Sequence, residues 1–532
     1  MGIFSKIFRK EKLTKIKIVW TPYIPGILLL FISFIITLFT YKDYGISWDE
    51  KGTRSLGTIT YDYVLHGNNE LFNSDLKHYG SGFELLLVFL EKAFRLTDTR
   101  YIYLMRHLAV NVLFLISALC LYALAYKLFK NKFIASLGFI MLVFAPRLYA
   151  HSFYNSRDLP FLSMFIISLF IYNLAFEKKK NILFVILGMS CAYTTSIRIM
   201  GIMLGSFIFL FLLIDMLFSL KNKGLLKKET IRLFLFLISF CITLYTVWPY
   251  LWPNPISNFS ESFSEFSRYP WEGNVLLNGK LINAAHLPWT YFPIWFLITN
   301  PEVWLIAGIG GILLIMINFI KTPLLFLKNT VQRNFLLSFM CFFGAILAVI
   351  LLHSILYTDW RHLYFVYPPF VILALYFIHR MLQTKYRFIV RGVCILQIVM
   401  IGYFMIKYYP FSNAYFNSFV SHKNEYLRDN YGMDLWGSSV KQGLDHILQT
   451  DRSQNIKVGC VYGILVRNNI MLLPKDQRDR IQYVNLKDAD YGITCYNEMP
   501  NDFCPAKVDY TIKVLNSSML STFKLSENPP AK

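Results

Sequence analysis

Two short acidic motifs are the residues in this chain best suited to chemistry. Asp49 and Glu50 lie in the first long polar loop, where Asp43 is a further acid, and Asp158 lies in a second loop. A carboxylate beside a membrane can act as the general base that takes a proton from an acceptor hydroxyl or amine. Asp49 and Asp158 could share one active centre or bind one metal ion. The alternatives are plain solvation for loop acids and a helix-capping role for Asp158.

Cations and aromatic rings that could hold a phosphate or a sugar lie near the same loops. Charged groups at membrane depth are costly unless paired, so they are candidates for function. The candidates for binding a phosphate are Arg198, Arg361, His362, Lys77 and His78. The candidates for contact with the acceptor or a sugar are Tyr79, Asn155, Trp289 and Tyr291. Anchoring at the membrane interface explains the aromatic residues equally well, and snorkelling is the alternative for the arginines, including Arg106 and Arg147.

The elements that must position these residues are membrane-spanning helices. The chain has 532 residues, is 55% hydrophobic and has a mean hydropathy of +0.44. Such a composition, with about eleven long apolar segments, excludes a soluble globular protein and predicts an all-α polytopic membrane protein, since ~20 apolar residues span a bilayer core as a helix. The predicted spans are 18–41, 102–126, 133–150, 159–176, 182–197, 200–220, 231–251, 302–320, 335–356, 362–380 and 390–408.

The basic residues predict how the spans are oriented. The formal net charge is +21, and most of the excess lies in short loops that alternation of the spans places on one side. These loops are Lys127–Lys132, Lys178–Lys180, Lys221–Lys228, Lys321–Arg333 and Arg380–Arg391. Together with the basic segment Lys6–Lys17, they predict a cytoplasmic N-terminus in a multi-pass cell membrane, inner or plasma, and favour this over nucleic-acid binding. Segment 182–197 is short and could be a broken helix.

The other side then receives the long loops and the tail. Loop 42–101 contains a predicted juxtamembrane helix, Gly82–Leu96, and loop 252–301 is rich in Trp and Pro. We expect a transmembrane domain of residues 1–408 and an extracytoplasmic α/β domain of residues 409–532. Its predicted elements are the helix Val440–Leu448 and the strands Lys457–Val466, Ile481–Leu486, Tyr491–Tyr496 and Tyr510–Leu515. Cys460, Cys495 and Cys504 could form one disulfide with one thiol left over.

Four motifs, in this order, resemble the GT-C superfamily of polyprenyl-phosphate-sugar-dependent glycosyltransferases. The likeness is to the bacterial branch related to protein O-mannosyltransferases and to the aminoarabinose transferase of lipid A. The motifs are the acidic pair at Asp49, then Asn155-Ser-Arg-Asp158, then Tyr357-Thr-Asp-Trp-Arg361-His362, and finally Tyr409–Asn417 with Met433–Gly437.

The resemblance implies a GT-C-like fold and transfer of a sugar, with inversion, from a lipid phosphate to a protein, lipid or glycan. It implies that Asp49 is the catalytic acid of the first loop, that Glu50 is its neighbour, and that Asp158 shapes the acceptor or metal site. Asp43 leaves a second choice in the first loop. The segment beginning at Lys77 matches the family's His-Pro-Pro motif only loosely, which leaves the donor sugar open. No cofactor is implied with certainty, and a divalent metal ion is possible.

Other functional classes fit parts of the pattern. A transporter or lipid flippase would explain many spans and buried cations, but it predicts internal repeats, which the sequence does not show. A polysaccharide polymerase or ligase would also use outer loops and basic residues, and a non-catalytic scaffold would use the tail. A nucleotide-dependent enzyme is disfavoured, because no Gly-rich phosphate-binding motif is present. The expected partners are a polyprenyl-phosphate sugar, membrane lipids and an acceptor, without nucleic acid.

Overall fold

The structure is a computed structural model that describes residues 21–267, 271–497 and 506–525, most of them in helices. The helices before the first hairpin are α1 (Ile24–Thr40), α2 (Glu50–His66), α3 (Glu70–Asn73), α4 (Gly82–Ala93), α5 (Thr99–Phe129), α6 (Lys132–Val143), α7 (Pro146–Tyr154), α8 (Asp158–Lys178), α9 (Asn181–Ile197), α10 (Ile202–Phe218), α11 (Lys223–Val247) and α12 (Pro255–Ser267). The later helices are α13 (Tyr291–Thr299), α14 (Glu302–Lys321), α15 (Pro323–Lys328), α16 (Thr330–Leu351), α17 (Tyr367–Leu382), α18 (Arg387–Lys407), α19 (Tyr426–Tyr431), α20 (Val440–Thr450), α21 (Gly463–Ile470) and α22 (Lys475–Arg478). The basic segment Lys6–Lys17 and the start of the first predicted span lie outside the described residues.

Each predicted span corresponds to one apolar helical segment. Among the described residues, 8 helices are long and apolar enough to cross a membrane, by length and composition. The helices α1 and α9 are shorter apolar helices, and α6 with α7 forms one bent pair. The predicted class, a helical multi-pass membrane protein with a small C-terminal sheet, is confirmed.

The third predicted span, 133–150, is not one straight helix. Helix α6 ends at Val143, α7 begins at Pro146, and the two are bent by 59°. Proline lacks an N–H to donate and its ring clashes with the preceding turn, so it ends one helix and starts the next. The loop that contains Asp158, which the predicted spans 133–150 and 159–176 place at residues 151–158, is therefore wrong in extent, since only residues 155–157 separate α7 from α8.

Ion pairs bring the basic loops together at one end of the helical bundle. Lys127 Nζ lies 2.8 Å from Glu177 Oε2. Lys179 and Arg333 both pair with Asp215. Loops that are far apart in sequence thus meet at the same end, as the charge pattern predicts. The side of the membrane that this end faces stays a prediction.

The first loop folds against the bundle through a buried charge network. Glu84 and Glu91 lie two turns apart on one face of α4, which matches the predicted juxtamembrane helix. Arg106 of α5 is buried and pairs with both, at 3.1 Å from Glu91 Oε1. Arg54 of α2 approaches Glu91 Oε2 at 3.0 Å. Arg106 is therefore a packing residue within the fold and does not snorkel.

The C-terminal residues form the predicted small α/β unit with a five-stranded sheet. An earlier hairpin pairs β1 (Asn274–Leu277) with β2 (Lys280–Asn283). The strands of the sheet are β3 (Ile456–Cys460), β4 (Ile481–Tyr483), β5 (Tyr491–Cys495), β6 (Val508–Val514) and β7 (Ser517–Lys524). Their order is β4-β3-β5-β7-β6, in which β3 runs parallel to β4 and β5, and β7 runs antiparallel to β5 and β6. The division into residues 1–408 and 409–532 stays a prediction.

Two details of this unit differ from the sequence prediction. The predicted strand Lys457–Val466 ends at Cys460, and Gly463–Ile470 is the helix α21. The strand β7 and the hairpin of β1 and β2 were not predicted. Cys460 and Cys495 are buried free thiols, and burial raises the pKa of Cys460 to about 12. Cys504 lies outside the described residues.

Candidate active site

The charged residues of the site lie where helices begin or end. Asp49 precedes α2, Asp158 is the first residue of α8, and Arg198 follows the last residue of α9. The turn at Lys179 makes α8 and α9 antiparallel neighbours, so the start of one lies beside the end of the other. Arg198 and Asp158 form an ion pair at this junction.

Arg361 lies between the two acids that the sequence singled out. Its Nη2 is 3.6 Å from Asp49 Oδ2, and its Nη1 is 3.4 Å from Asp158 Oδ2. The side chains of Arg361 and Asp158 are 3% and 2% exposed, whereas that of Asp49 is 36% exposed. The guanidinium also lies over the ring of Trp436, at 4.6 Å from its centroid. Asp49 is thus the accessible carboxylate of the pair.

A strained turn positions Arg361 beside Asp49 and Asp158. Thr358 and Asp359 have positive φ values of 54° and 61°, a conformation that costs ~1–3 kcal/mol per non-glycine residue. Contacts within the fold hold this turn: Arg361 Nε donates to Thr358 Oγ1 at 3.0 Å, and Arg147 Nη1 donates to Asp359 Oδ2 at 2.9 Å. Burial raises the pKa of Asp359, although Arg147 and Arg361 beside it oppose that effect.

Asn155 orients Asp158 within the fold. Its Nδ2 donates to Asp158 Oδ2 at 2.9 Å, and its Oδ1 accepts from the backbone N–H of Asp158 at 2.8 Å. The same Nδ2 also lies 3.2 Å from His151 Nδ1. Asn155 is therefore bonded within the α7–α8 junction, where it positions the acid; its predicted contact with the acceptor stays a prediction.

One cavity of about 170 Å³ is lined by five of the predicted site residues, namely Asp49, Tyr79, Arg198, Arg361 and His362. The ring of His362 lies 4.6 Å from that of Tyr357, and burial raises the pKa of Tyr357.

The segment at Gly80 approaches the end of α9 so closely that an added Cβ would overlap the carbonyl oxygen of Ser196. This close approach makes a glycine necessary at residue 80.

Four other predicted residues lie outside this cavity. Lys77 lines a neighbouring cleft, and the ring of His78 packs against Tyr250 at 5.5 Å, where burial lowers the pKa of His78. Trp289, which is 69% exposed, and Tyr291 line a different cavity. That cavity shares wall residues with the first, including Leu356 and Leu363.

Glu50 and Asp43, the other two acids considered near Asp49, are also separate from the cavity. Glu50 is buried; its Oε2 accepts from the backbone N–H of Ser47 at 2.8 Å, and its Oε1 lies 3.1 Å from His107 Nε2. Asp43 accepts a hydrogen bond from the hydroxyl of Tyr409. Asp49 is therefore the first-loop acid that reaches the cavity.

Sequence reasoning did not assign a role to three residues that shape the site. Arg157 lines the cavity, and its guanidinium lies over the Tyr79 ring at 3.8 Å. Tyr357 and Trp436 flank the guanidinium of Arg361. All three lie inside the motifs that carry the family resemblance, and this position in the motifs could have marked them as site residues.

The donor set does not fit the metal ion that the sequence left possible. A divalent cation needs several oxygen or imidazole ligands that converge on one point. The guanidinium of Arg361 occupies the space between Asp49 and Asp158. Within the described part of the chain, no group of three or more His, Cys, Asp or Glu side chains could hold a metal ion.

Comparison with protein families identifies the type of enzyme. Residues 75–253 match the model of the family described as dolichyl-phosphate-mannose-protein mannosyltransferase. The matched stretch contains Asp158 and the cavity residue Arg198, and it confirms the GT-C resemblance. The chain is a membrane glycosyltransferase. No curated protein sequence matches this glycosyltransferase.

The glycosyltransferase also has weak structural similarity to two solved proteins. ArnT from Cupriavidus metallidurans, bound to undecaprenyl phosphate, is 12% identical with a TM-score of 0.46, over 95% of this chain and 98% of that one. The Archaeoglobus fulgidus oligosaccharyltransferase in the apo form is 10% identical with a TM-score of 0.45, over 87% of this chain. The glycosyltransferase covers 65% of the archaeal protein's length. With TM-scores below 0.5, these similarities carry no part of the assignment, which rests on the family match.

Proposed function

We propose that this enzyme transfers a sugar from a polyprenyl phosphate to an acceptor hydroxyl or amine on a protein, lipid or glycan, with inversion at the anomeric carbon. The observation that carries the proposal is the single cavity in which the accessible carboxylate of Asp49 lies beside Arg198 and Arg361. The description of the matched family names a lipid-phosphate-linked sugar, the kind of donor that such a cationic cavity suits.

Asp49 is the proposed general base. Its carboxylate takes the proton of the acceptor group as the acceptor oxygen or nitrogen forms a bond to the anomeric carbon. The bond from that carbon to the phosphate oxygen breaks, and the phosphate leaves with the electron pair. Because the acceptor attacks the face opposite the leaving phosphate in one displacement, the configuration inverts.

Arg198 and Arg361 are proposed to stabilise the leaving phosphate. Preorganised cations at the place where negative charge develops lower the barrier without reorganisation during the reaction. His362 lines the same cavity and is a further donor to the phosphate. Asp158 pairs with both arginines, so its proposed role is to hold them in position.

We further propose that the cavity faces the extracytoplasmic side of the membrane. The basic loops meet at the opposite end of the bundle, and such loops remain cytoplasmic. The tail from residue 409 then lies outside with the cavity, where Trp436 covers Arg361. In this arrangement the C-terminal unit completes the site that meets the acceptor.

A transfer assay tests the proposal. Purified full-length enzyme in detergent is incubated with polyprenyl phosphates that carry different radiolabelled sugars and with membrane extracts as acceptor. We expect one donor to lose its sugar to an acceptor, and NMR of the product to show an inverted anomeric centre. Transfer only from oligosaccharides on a polyprenyl diphosphate would instead support the polymerase or ligase alternative.

A further inference from the structure

A second cleft, separate from the reaction cavity, opens beside the first loop. It measures about 480 Å³ and lies between α2, α3 and the segment that follows α11. Small-molecule sites commonly measure ~300–1,000 Å³, so the cleft is large enough for a short ligand. It is lined by none of the residues assigned above to proton transfer or to the leaving phosphate.

The polar wall of the cleft offers many unused hydrogen-bonding groups. Within the described residues, the side chains of Asn69, Asn73 and Asn254 make no hydrogen bond to other protein groups. Each amide presents two N–H donors and a carbonyl acceptor. The ammonium group of Lys77 forms no ion pair with a described carboxylate. The cleft therefore suits a ligand that both donates and accepts hydrogen bonds.

Three of the other lining residues are aromatic, namely Tyr63, Phe72 and Tyr250. The rings of Tyr63 and Phe72 have centroids 5.1 Å apart, and those of Phe72 and Tyr250 are 5.9 Å apart. Aromatic faces pack against apolar C–H surfaces. A carbohydrate combines such a C–H face with hydroxyl groups that donate and accept. Lys77 is the charged residue of this lining, so a sugar with an acidic group fits better than a neutral one.

The cleft adjoins the reaction cavity through one short chain segment. Leu76 and Tyr79 line the reaction cavity, whereas Lys77, next to Leu76 in sequence, lines the cleft. A ligand in the cleft therefore lies next to the reaction cavity and apart from Arg198, Arg361 and His362.

We propose that this cleft is a binding subsite for an acidic carbohydrate that forms part of the acceptor. The role as acceptor subsite rests on the transfer reaction proposed above, whereas carbohydrate binding itself does not. Lys77 then contacts the acceptor glycan, and the donor phosphate is left to Arg198, Arg361 and His362.

Saturation-transfer NMR on the full-length protein in detergent tests the proposal, with digalacturonate as the acidic probe and galactobiose as the neutral one. We expect digalacturonate to bind about fivefold more tightly, and Lys77→Gln to remove that preference. The double variant Asn73→Ala, Asn254→Ala should bind both sugars about tenfold more weakly, or weaker still. Lys51 is an exposed lysine on α2, and Lys51→Gln is the matched control. It should change neither the affinity for the two sugars nor the preference for digalacturonate.

The outcomes separate this proposal from the transfer reaction. Absence of binding by both sugars would overturn the site, and equal binding with no effect of Lys77→Gln would overturn the acidic preference. Loss of sugar binding in Arg361→Lys would place the sugar in the reaction cavity and overturn the separate cleft. Asp49→Asn should bind digalacturonate normally while inactive. If the unmodified enzyme binds digalacturonate normally but transfers no sugar in the assay above, the acceptor role and the proposed function are disproved, with the carbohydrate site intact.

Discussion

Asn469 of the C-terminal unit hydrogen-bonds both backbone groups of Ile46 in the first loop. Its Nδ2 donates to Ile46 O at 3.1 Å, and its Oδ1 accepts from Ile46 N at 2.9 Å. Asn468 Nδ2 donates to Ser47 O at 3.2 Å, and Trp48 N donates to Trp436 O at 3.2 Å. Three successive residues before Asp49 are thus held by the tail.

Replacing Asn469 with alanine should therefore slow the reaction. The change leaves two buried backbone groups without partners, at a cost of ~1–3 kcal/mol each, and frees the segment that carries Asp49. We expect kcat to fall about tenfold, with little change in donor affinity, because the arginines are held elsewhere. Asn485→Ala, an exposed asparagine of the same unit, is the control. An unchanged kcat would show that the tail does not position Asp49.

Asp49→Asn should abolish most of the activity. The amide keeps the shape of the side chain but cannot take a proton, and loss of a general base typically costs ~10²–10⁴-fold in rate. Asp43→Asn should retain near-normal turnover, because Asp43 contacts Tyr409 away from the cavity. Turnover measured for both variants decides between the two acids. The reverse result would make Asp43 the base.

Arg198→Ala should weaken donor binding. The side chain lines the cavity and is partly exposed, and a charge-assisted contact to phosphate contributes ~1.5–3 kcal/mol. Displacement of a labelled polyprenyl phosphate from the purified enzyme measures the change. Arg452→Ala, an exposed arginine of the tail, should leave the affinity intact. Equal affinities would exclude Arg198 from the phosphate site.

Arg106→Met should destabilise the protein more than Arg54→Met. Arg106 is buried between Glu84 and Glu91, whereas the Arg54 side chain is 30% exposed. Removing one partner from a buried ion pair leaves an uncompensated charge in the interior and lowers the free energy of unfolding by ~3–5 kcal/mol. Thermal unfolding in detergent compares the two variants. Similar unfolding temperatures would mean that Arg106, despite its burial, contributes no more to stability than Arg54.

Cysteine labelling of intact cells should report the orientation of the membrane helices. In a variant with Cys241→Ser and Cys504→Ser, an impermeant reagent should label Asn516→Cys but not Lys180→Cys. The former lies in the C-terminal unit, and the latter lies in a loop at the basic end of the bundle. The opposite pattern would invert the proposed topology.

The spans and the central charged residues could be predicted because their signals are local. Long apolar runs specify membrane helices wherever they occur, and Asp158 and Arg361 lie in short motifs. The fate of Glu50 could not be predicted, because its partner His107 lies 57 residues away. Only the folded chain shows that Glu50 is bonded inward while Asp49, its neighbour, reaches the cavity.

The error at residues 461–466 of the predicted strand has the same origin. Alternating apolar residues from Val458 predicted a continuous strand, yet the chain turns into α21 at Gly463. An added Cβ at Gly463 would collide with the hydroxyl of Tyr483 on β4, and the helix presents Asn469 to Ile46. These long-range contacts override the local preference for a strand.

The bond between Asn469 and Ile46 spans 423 residues of sequence, and this has a consequence for biosynthesis. The long apolar helices of the described residues all precede residue 409, whereas Asn469 follows them in the sequence. A chain that stops before Asn469 can therefore carry the long apolar helices described above and still lack the hydrogen bonds that hold Ile46. We expect such a chain to transfer sugar slowly, because the segment that carries Asp49 is no longer held by these bonds.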